Sequence, residues 1–335
     1  MAGSGTARAE GGLSEPARTD HEEGPHAPRG RKPERKALLF ANVASRQGAI
    51  DLAPALEVLR EGGVRVLEER PPDVRRLGAW IVEHRRAADL AIIGGGDGTL
   101  NAALEGLVEA GLPLGILPLG TANDLARTLE IPADIVEASK VIAEGLTHPI
   151  DLGRVNGKHF FNVASVGLSV HVARQLGVDI KRRWGVLGYP LTLWRALGRH
   201  RSFRAEIRCD GTRARVRTIQ ISVGNGRHYG GGMTIAADAT IDDGLLDVVS
   251  LAPQGLVELI FNLPALRWGW HERAELVRHW RCREIEVQTV RSLPVNTDGE
   301  VTTRTPAHIM VVPKALSVHV PQSFIASRRA EHAAG

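Results

Sequence analysis

The sequence predicts an α/β domain built on a parallel sheet, followed by a mainly antiparallel β-sandwich domain. Two observations carry this. From Ala37 to about residue 150, short apolar runs alternate with amphipathic helical stretches, the rhythm of strand–helix–strand crossovers. From Asp151 onward the texture changes to short alternating segments separated by Asn-Gly, Asp-Gly and glycine-rich turns, which mark antiparallel strands and hairpins. The 335 residues are 43% hydrophobic and 24% charged, an ordinary globular composition with length enough for two cores. The predicted divisions are a disordered tail at 1–36, an α/β domain at 37–150, a β-rich domain at 151–322 and a polar tail at 323–335.

Met1–Lys36 is rich in Gly, Pro, Ala, Arg and Glu and holds hardly a large apolar residue, so burial cannot offset its ordering entropy. A strand at Ala37–Phe40 leads into a polar turn, Ala41–Gly48. Helices follow at Ala53–Glu61 and Val74–His84, on either side of a strand at Val64–Leu67. A strand at Leu90–Ile93 then runs into Gly94, Gly95 and Gly96, and Asp97-Gly98-Thr99 opens a helix that continues over Leu100–Ala110. The next strand, Leu114–Leu117, ends in Pro118-Leu119-Gly120 and a helix at Thr121–Leu129, where Thr121 and Asp124 form an Asp variant of the capping box. A helix at Ile135–Glu144 closes the first domain. The predicted strands beyond it are Phe160–Ala164, Ala205–Cys209, Arg215–Val223, Leu245–Leu251, Glu284–Thr289, Ile309–Val312 and Leu316–Val320, before the polar Ser327–Gly335.

Several function classes are disfavoured at this level. The net charge of +4 is too mild to argue for nucleic acid, and no zinc-finger or RNA-binding signature is present; an anionic membrane surface or a polyphosphate ligand fits it equally well. No apolar run approaches the roughly 20 residues of a bilayer span, and the N-terminus lacks a signal-peptide core. A cytoplasmic protein with at most peripheral contact to the inner face of the membrane is expected. Its two cysteines, Cys209 and Cys282, are expected to be free thiols in a reducing compartment.

The stretch Leu90–Leu104 organises the chain. A glycine turn between a strand and a helix offers backbone N–H groups and a helix dipole to an anion, and any Cβ there would hold a phosphate away. It is neither a dinucleotide fingerprint nor a P-loop, because Thr99 or Asn101 stands where the third glycine belongs and no Gly-Lys-Ser/Thr follows. Asp97 is discordant beside a phosphate unless a metal or a proton transfer is involved, which points to phosphoryl chemistry. Gly224–Gly232 (GNGRHYGGG) reads as a second close-approach loop or a long glycine hairpin. Ala239–Asp247 (ATIDDGLLD) places three carboxylates around a turn, which is either an oxygen-donor cation site or an Asp-Gly hairpin. Asn296–Glu300 (NTDGE) carries the same ambiguity. The thirteen histidines show no metal-binding spacing; His228 lies in the glycine loop.

Taken together, GGGDGTLN, ILPLGTANDLA, GNGRHYGGGM, DDGLLDVV and NTDGE resemble, in order and spacing, the diacylglycerol kinase catalytic-domain family, and within it the bacterial YegS-like lipid kinases. The resemblance runs from about Ala37 to Pro321. It implies a first domain like that of phosphofructokinases and NAD kinases, which share GGDG, and an ATP- and Mg²⁺-dependent kinase acting on a lipid hydroxyl, with diacylglycerol the expected acceptor. By that resemblance ATP lies against Gly95, Gly96, Asp97, Gly98, Thr99, Leu100 and Asn101, with Thr121 contributing. Mg²⁺ is held by Asp243 with Thr240 and Leu245 through main-chain oxygens, Glu300 is the proton acceptor, and Asp97 is oriented toward the metal-bound phosphate or serves as the base. A threonine that touches ATP in relatives is missing from Glu68-Glu69-Arg70-Pro71-Pro72. Trp184–Arg201 and Leu256–Trp270 mix indoles, leucines and arginines as a headgroup interface does, or pack the core of the second domain. A NAD-kinase-like phosphotransferase on a soluble acceptor and a non-catalytic lipid- or nucleotide-binding module remain the alternatives.

Overall fold

A computed structural model describes residues 33–42, 51–67, 73–168, 202–226, 228–229, 233–234, 239–253 and 277–334. Outside these lie residues 1–32, most of the polar turn after the first strand, the segment 68–72, residues 227 and 230–232 of the second glycine loop, and both Trp- and Leu-rich stretches.

The first half follows the predicted alternation. β1 (Arg35–Ala41), α1 (Ala53–Glu61), β2 (Val64–Val66), a 3₁₀ turn at Val74–Arg76, α2 (Leu77–His84), β3 (Leu90–Gly95), α3 (Asp97–Ala110), β4 (Leu114–Pro118), α4 (Asp124–Thr128) and α5 (Ile135–Glu144) succeed one another. β2, β1, β3 and β4 lie side by side and parallel. Every residue of β3 is buried, as a parallel strand covered on both faces requires. Arg35 and Lys36, assigned to the tail, instead open β1, paired with Val64 and Arg65.

The helix ends are set by their caps. Asp134 accepts hydrogen bonds from the N–H groups of Val136 (2.9 Å) and Glu137 (3.0 Å) to start α5. Gly111 ends α3 in the left-handed region. α4 departs from expectation: it is five residues long and starts at Asp124, while Thr121 is exposed in the turn before it. Asn123, at φ 50°, turns its amide back onto the turn instead of capping forward. Its Oδ1 accepts from Gly120 N (3.0 Å) and its Nδ2 donates to Gly120 O (3.0 Å).

The second half comprises β5 (Thr147–Val155), β6 (Lys158–Phe160), β7 (Val163–Gly167), β8 (Phe203–Cys209), β9 (Thr212–Thr218), β10 (Gln220–Gly224), β11 (His228–Tyr229), β12 (Met233–Thr234), β13 (Leu246–Leu251), β14 (Val277–Cys282), β15 (Glu284–Thr289), β16 (Pro294–Thr297), β17 (Glu300–Arg304), β18 (Ala307–His319) and α6 (Gln322–Ala334). One ten-stranded sheet runs β2-β1-β3-β4-β18-β15-β8-β9, with β5 and β6 added beside β18, and a six-stranded sheet runs β14-β13-β10-β7-β16-β17. β18 pairs in parallel with β4 (Val318 with Leu114) and antiparallel with β5 and β15. The larger sheet therefore continues from the α/β half into the β-rich half. Ile207, Val216, Ile285, Val287 and Ile309 of this sheet face Val166, Ile221, Val223, Leu246, Val248 and Val295 of the other across a second core.

Four segments differ from the sequence reading. Ile309–Val312 and Leu316–Val320, expected as two strands, are one, β18, with a register shift between Val312 and Leu316. Arg215–Val223 is two strands in different sheets, bent at Ile219, with the Thr218 hydroxyl engaging Gln220 O (2.8 Å) and Leu251 O (2.7 Å) at the corner. Phe160–Ala164 is likewise divided between β6 and β7. The polar C-terminal tail begins a helix at Gln322, anchored by Phe324, which is buried and meets the His148 ring edge-on at 5.4 Å. A single aromatic in a polar stretch is a weak sequence signal.

The expectation of free thiols is overturned. Cys209 and Cys282, 73 residues apart with Cα atoms at 5.7 Å, form a disulfide. β8 and β14 belong to different sheets, and both cysteines are buried between the packed faces, a proximity that the spacing in sequence does not reveal.

Candidate active site

Parallel pairing of β3 with β4 aligns Gly95 with Pro118, so the two glycine turns leave the sheet side by side at the carboxyl ends of their strands. They touch. Leu119 N donates to Gly95 O (3.1 Å), and a Cβ on Gly120 would meet Gly96 Cα at 2.4 Å. Asp97, the first residue of α3, bridges the corners by accepting a hydrogen bond from Leu125 N at 3.3 Å. Burial, and then the neighbouring Asp124 charge, push its carboxyl up from the usual range.

The first turn of α3 offers backbone rather than side chains. Thr99 and Leu100 are buried, with the Thr99 side chain packed where a Cβ on Gly95 would fall, at 2.5 Å. Gly98 is exposed, and a Cβ there would meet nothing within 4 Å. An anion approaching Gly96–Gly98 therefore meets a bare N-terminal helix turn.

The Asn296–Glu300 stretch forms a hairpin with positive φ at both Asp298 and Gly299, the geometry of a two-residue type I′ turn. The Asp298 carboxylate folds back over the start of β7. It accepts hydrogen bonds from the N–H groups of Phe161 (2.7 Å), Asn162 (3.0 Å) and Val163 (3.0 Å). Burial pushes its carboxyl up to about 6, and Asp97 is close enough for its charge to add to the rise. The NTDGE hairpin is thus tied to the start of β7, with Asp298 within electrostatic reach of Asp97. Glu300, two residues on, pairs with Thr297 and is exposed at the start of β17.

Asp151, Asn162, Asn225 and Asp298 are the site neighbours that the sequence reading did not single out. Asn225, buried, donates to Asp151 O (2.8 Å) and Phe161 O (2.9 Å). The carboxylate of Asp151 holds Gly244 N and Lys314 N, each at 2.7 Å. Asn225 and Asp298 lie in stretches flagged in advance, the second glycine loop and NTDGE, whereas nothing flagged Asp151 or Asn162.

Each of the three carboxylates of Asp242-Asp243-Gly244-Leu245-Leu246-Asp247 meets a basic side chain, and Asp243 and Asp247 share Arg281. Asp242 pairs with His148 (2.8 Å), Asp247 with His279 (2.9 Å), and Asp243 with Arg281 (2.6 Å). Among the described residues no cluster of three or more His, Cys, Asp or Glu side chains is placed to hold a metal. The set of Thr240, Asp243 and Leu245 is all oxygen, the chemistry that a hard divalent cation takes. Burial pushes the Asp243 carboxyl up against the lowering effects of the Leu245 N–H, Arg281 and Thr240. A partly buried carboxylate in need of a cation fits the site, with Arg281 filling that need here.

A parallel sheet with paired glycine corners, joined through one long strand to an antiparallel sandwich, is the architecture of diacylglycerol kinase-type proteins. A diacylglycerol kinase from Bacillus anthracis, described as putative by those who solved it, superimposes with a TM-score of 0.75 at 27% identity, over 89% of this chain and 99% of that one. The family model for the diacylglycerol kinase catalytic domain matches residues 36–155, and that for the YegS C-terminal NAD kinase beta sandwich-like domain matches residues 162–320. A protein from Pseudomonas aeruginosa named probable lipid kinase YegS-like is 36% identical over 275 residues, covering 81% of this chain and 88% of that protein. The diacylglycerol kinase of Bacillus subtilis is 30% identical over 240 residues, covering 71% and 79%. The chain belongs to the YegS-like lipid kinases of the diacylglycerol kinase family. Among its described residues no helix is long and apolar enough to cross a membrane.

Proposed function

We propose that this lipid kinase transfers the γ-phosphoryl group of ATP to a lipid hydroxyl in a Mg²⁺-dependent reaction, with diacylglycerol as acceptor and phosphatidic acid as product. The observation that carries the proposal is the meeting of two sequence-distant glycine turns, Gly96 against Gly120 and Asp97 on the α4 turn, with Asp298 within electrostatic reach of Asp97. Phosphoryl transfer needs phosphate charge neutralised, a metal, and a base for the attacking hydroxyl.

In this reading the backbone from Gly95 to Asn101, with Thr121, cradles the polyphosphate. Thr240, Asp243 and Leu245 hold the Mg²⁺, which supplies charge neutralisation at the phosphate oxygens. Glu300 takes the proton of the acceptor hydroxyl as its oxygen attacks phosphorus and the bond to the departing diphosphate breaks. Asp97 orients the phosphate end of the nucleotide. The test is transfer of radiolabel from γ-labelled ATP in the presence of diacylglycerol and Mg²⁺. Label in an organic-extractable product is expected; label confined to water-soluble products, or none transferred, overturns the assignment.

Arg281 makes a separate measurement possible. Its guanidinium holds Asp243 at 2.6 Å and reaches Asp247 at 3.4 Å, so a divalent ion at this loop competes with a resident positive charge. Removing a unit charge some 4 Å away changes binding by on the order of tenfold in a partly screened site. Arg281→Gln is therefore expected to bind Tb³⁺ about tenfold more tightly, read by sensitised luminescence and displaced by Mg²⁺. Unchanged or weaker binding excludes competition at Asp243.

A further inference from the structure

β8 and β9 form the far edge of the ten-stranded sheet. Their inward residues, Ala205, Ile207, Cys209 and Val216, are buried in the second core. Their outward face carries Arg204, Arg208, Arg213, Arg215 and Arg217, all exposed. The register sets Arg204 directly across from Arg217, and Arg208 directly across from Arg213.

Like charges facing each other across strands destabilise a sheet. Charged side chains do protect an edge strand from pairing with another chain, but mixed signs would serve that purpose without the repulsion. Glu206 is shared by Arg208 (3.6 Å), Arg213 and Arg215 (3.3 Å), and Glu286 takes Arg208 at 3.3 Å. Arg217 meets the Ser202 hydroxyl at 3.1 Å, and Arg204 has no carboxylate partner among the described residues. Five guanidinium groups thus stand on one face against two carboxylates, with Arg215 79% exposed.

We infer that this face docks the protein onto a bilayer rich in anionic phospholipid. Several exposed guanidinium forks on one face suit a surface of phosphodiester headgroups, which arginine binds bidentately. No aromatic side chain points outward from β8 or β9 to stack a nucleobase, a common element of single-stranded nucleic-acid sites. The choice of lipid over nucleic acid rests on the lipid-kinase reading, whereas the basic face does not. Docking here holds the protein at the surface where a diacylglycerol acceptor resides.

The test is flotation, without nucleotide, on neutral phosphatidylcholine vesicles and on vesicles with a third of the lipid replaced by phosphatidylglycerol. At about 0.1 M salt, where charges still act over roughly 10 Å, the protein should float with the anionic vesicles only and be released at high salt. The triple variant Arg204→Gln, Arg215→Gln, Arg217→Gln should partition on the order of 100-fold more weakly, because each basic group near such a surface contributes about a fivefold factor. Glu206→Gln, which frees three arginines, should partition about fivefold more strongly. Equal binding to both vesicle types, or variants indistinguishable from wild type, overturns the inference. So does retention on single-stranded RNA as tight as on anionic vesicles and lost in the triple variant. Phosphorylation of diacylglycerol in neutral detergent micelles, unaltered in the triple variant, separates failure of docking from failure of the kinase reading.

Discussion

Glu300→Gln is expected to lower phosphoryl transfer by roughly 10²–10⁴-fold, the range that a positioned general base contributes, while the protein stays folded and binds nucleotide. Glu300 is exposed at the first position of β17. No described residue makes a side-chain hydrogen bond or ion pair with it, so the exchange removes no contact that supports the hairpin. The neighbouring acid behaves differently. Asp298 accepts three backbone hydrogen bonds from 161–163, and replacing it by alanine strands those donors at a cost of about 1–3 kcal/mol each when buried. Kinetics and thermal melting therefore separate the two carboxylates of one five-residue motif. Glu300→Gln should lose rate at constant melting temperature, and Asp298→Ala should lose melting temperature first. Full turnover in Glu300→Gln would remove it as the proton acceptor and leave Asp97 as the candidate.

Gly120→Ala is the second large effect expected. Its methyl would sit 2.4 Å from Gly96 Cα and 2.5 Å from Asn123 Oδ1, and neither neighbour can retreat. Gly96 is backbone at the head of α3, and Asn123 is tied to the same turn by two hydrogen bonds. The two corners must part, and displacement of binding groups by about 1 Å costs on the order of 100-fold in rate. Gly98→Ala is the matched control, because its methyl meets nothing within 4 Å. It should leave the melting temperature unchanged and raise the KM for ATP, whereas Gly120→Ala should lower both stability and kcat/KM. Wild-type kinetics in Gly120→Ala would show that contact between the corners is not needed for activity.

The strand–helix rhythm of the first half was legible because each element there buries one face in a local, periodic pattern. The bounds of α1 and α5 follow directly from their apolar spacing and from Asp134. The glycine corner at 94–98 was legible for the same reason, since its purpose is local backbone geometry. What stayed hidden depends on distant partners. Nothing around Asp298 says that its carboxylate turns onto a segment about 135 residues earlier in the chain. The run of three acids at 242–247 suggested convergence, yet each acid finds a basic partner on another element. The corner at Ile219 was read through because both halves are equally apolar, and only the closing of two sheets makes the bend necessary. The cysteine pair escaped notice for a related reason: opposite faces of a sandwich carry no mark in the linear order.

β18 joins the parallel half of the large sheet to the antiparallel half. Because it follows β1 to β17 in the chain, a ribosome delivers it after all of them have emerged. During synthesis the free flank of β4 waits for a partner about two hundred residues downstream in the sequence. A chain stopped short of residue 307 would therefore present that flank, with its unpaired amides and carbonyls, to other nascent chains. Premature termination should yield aggregates in place of a working half-enzyme.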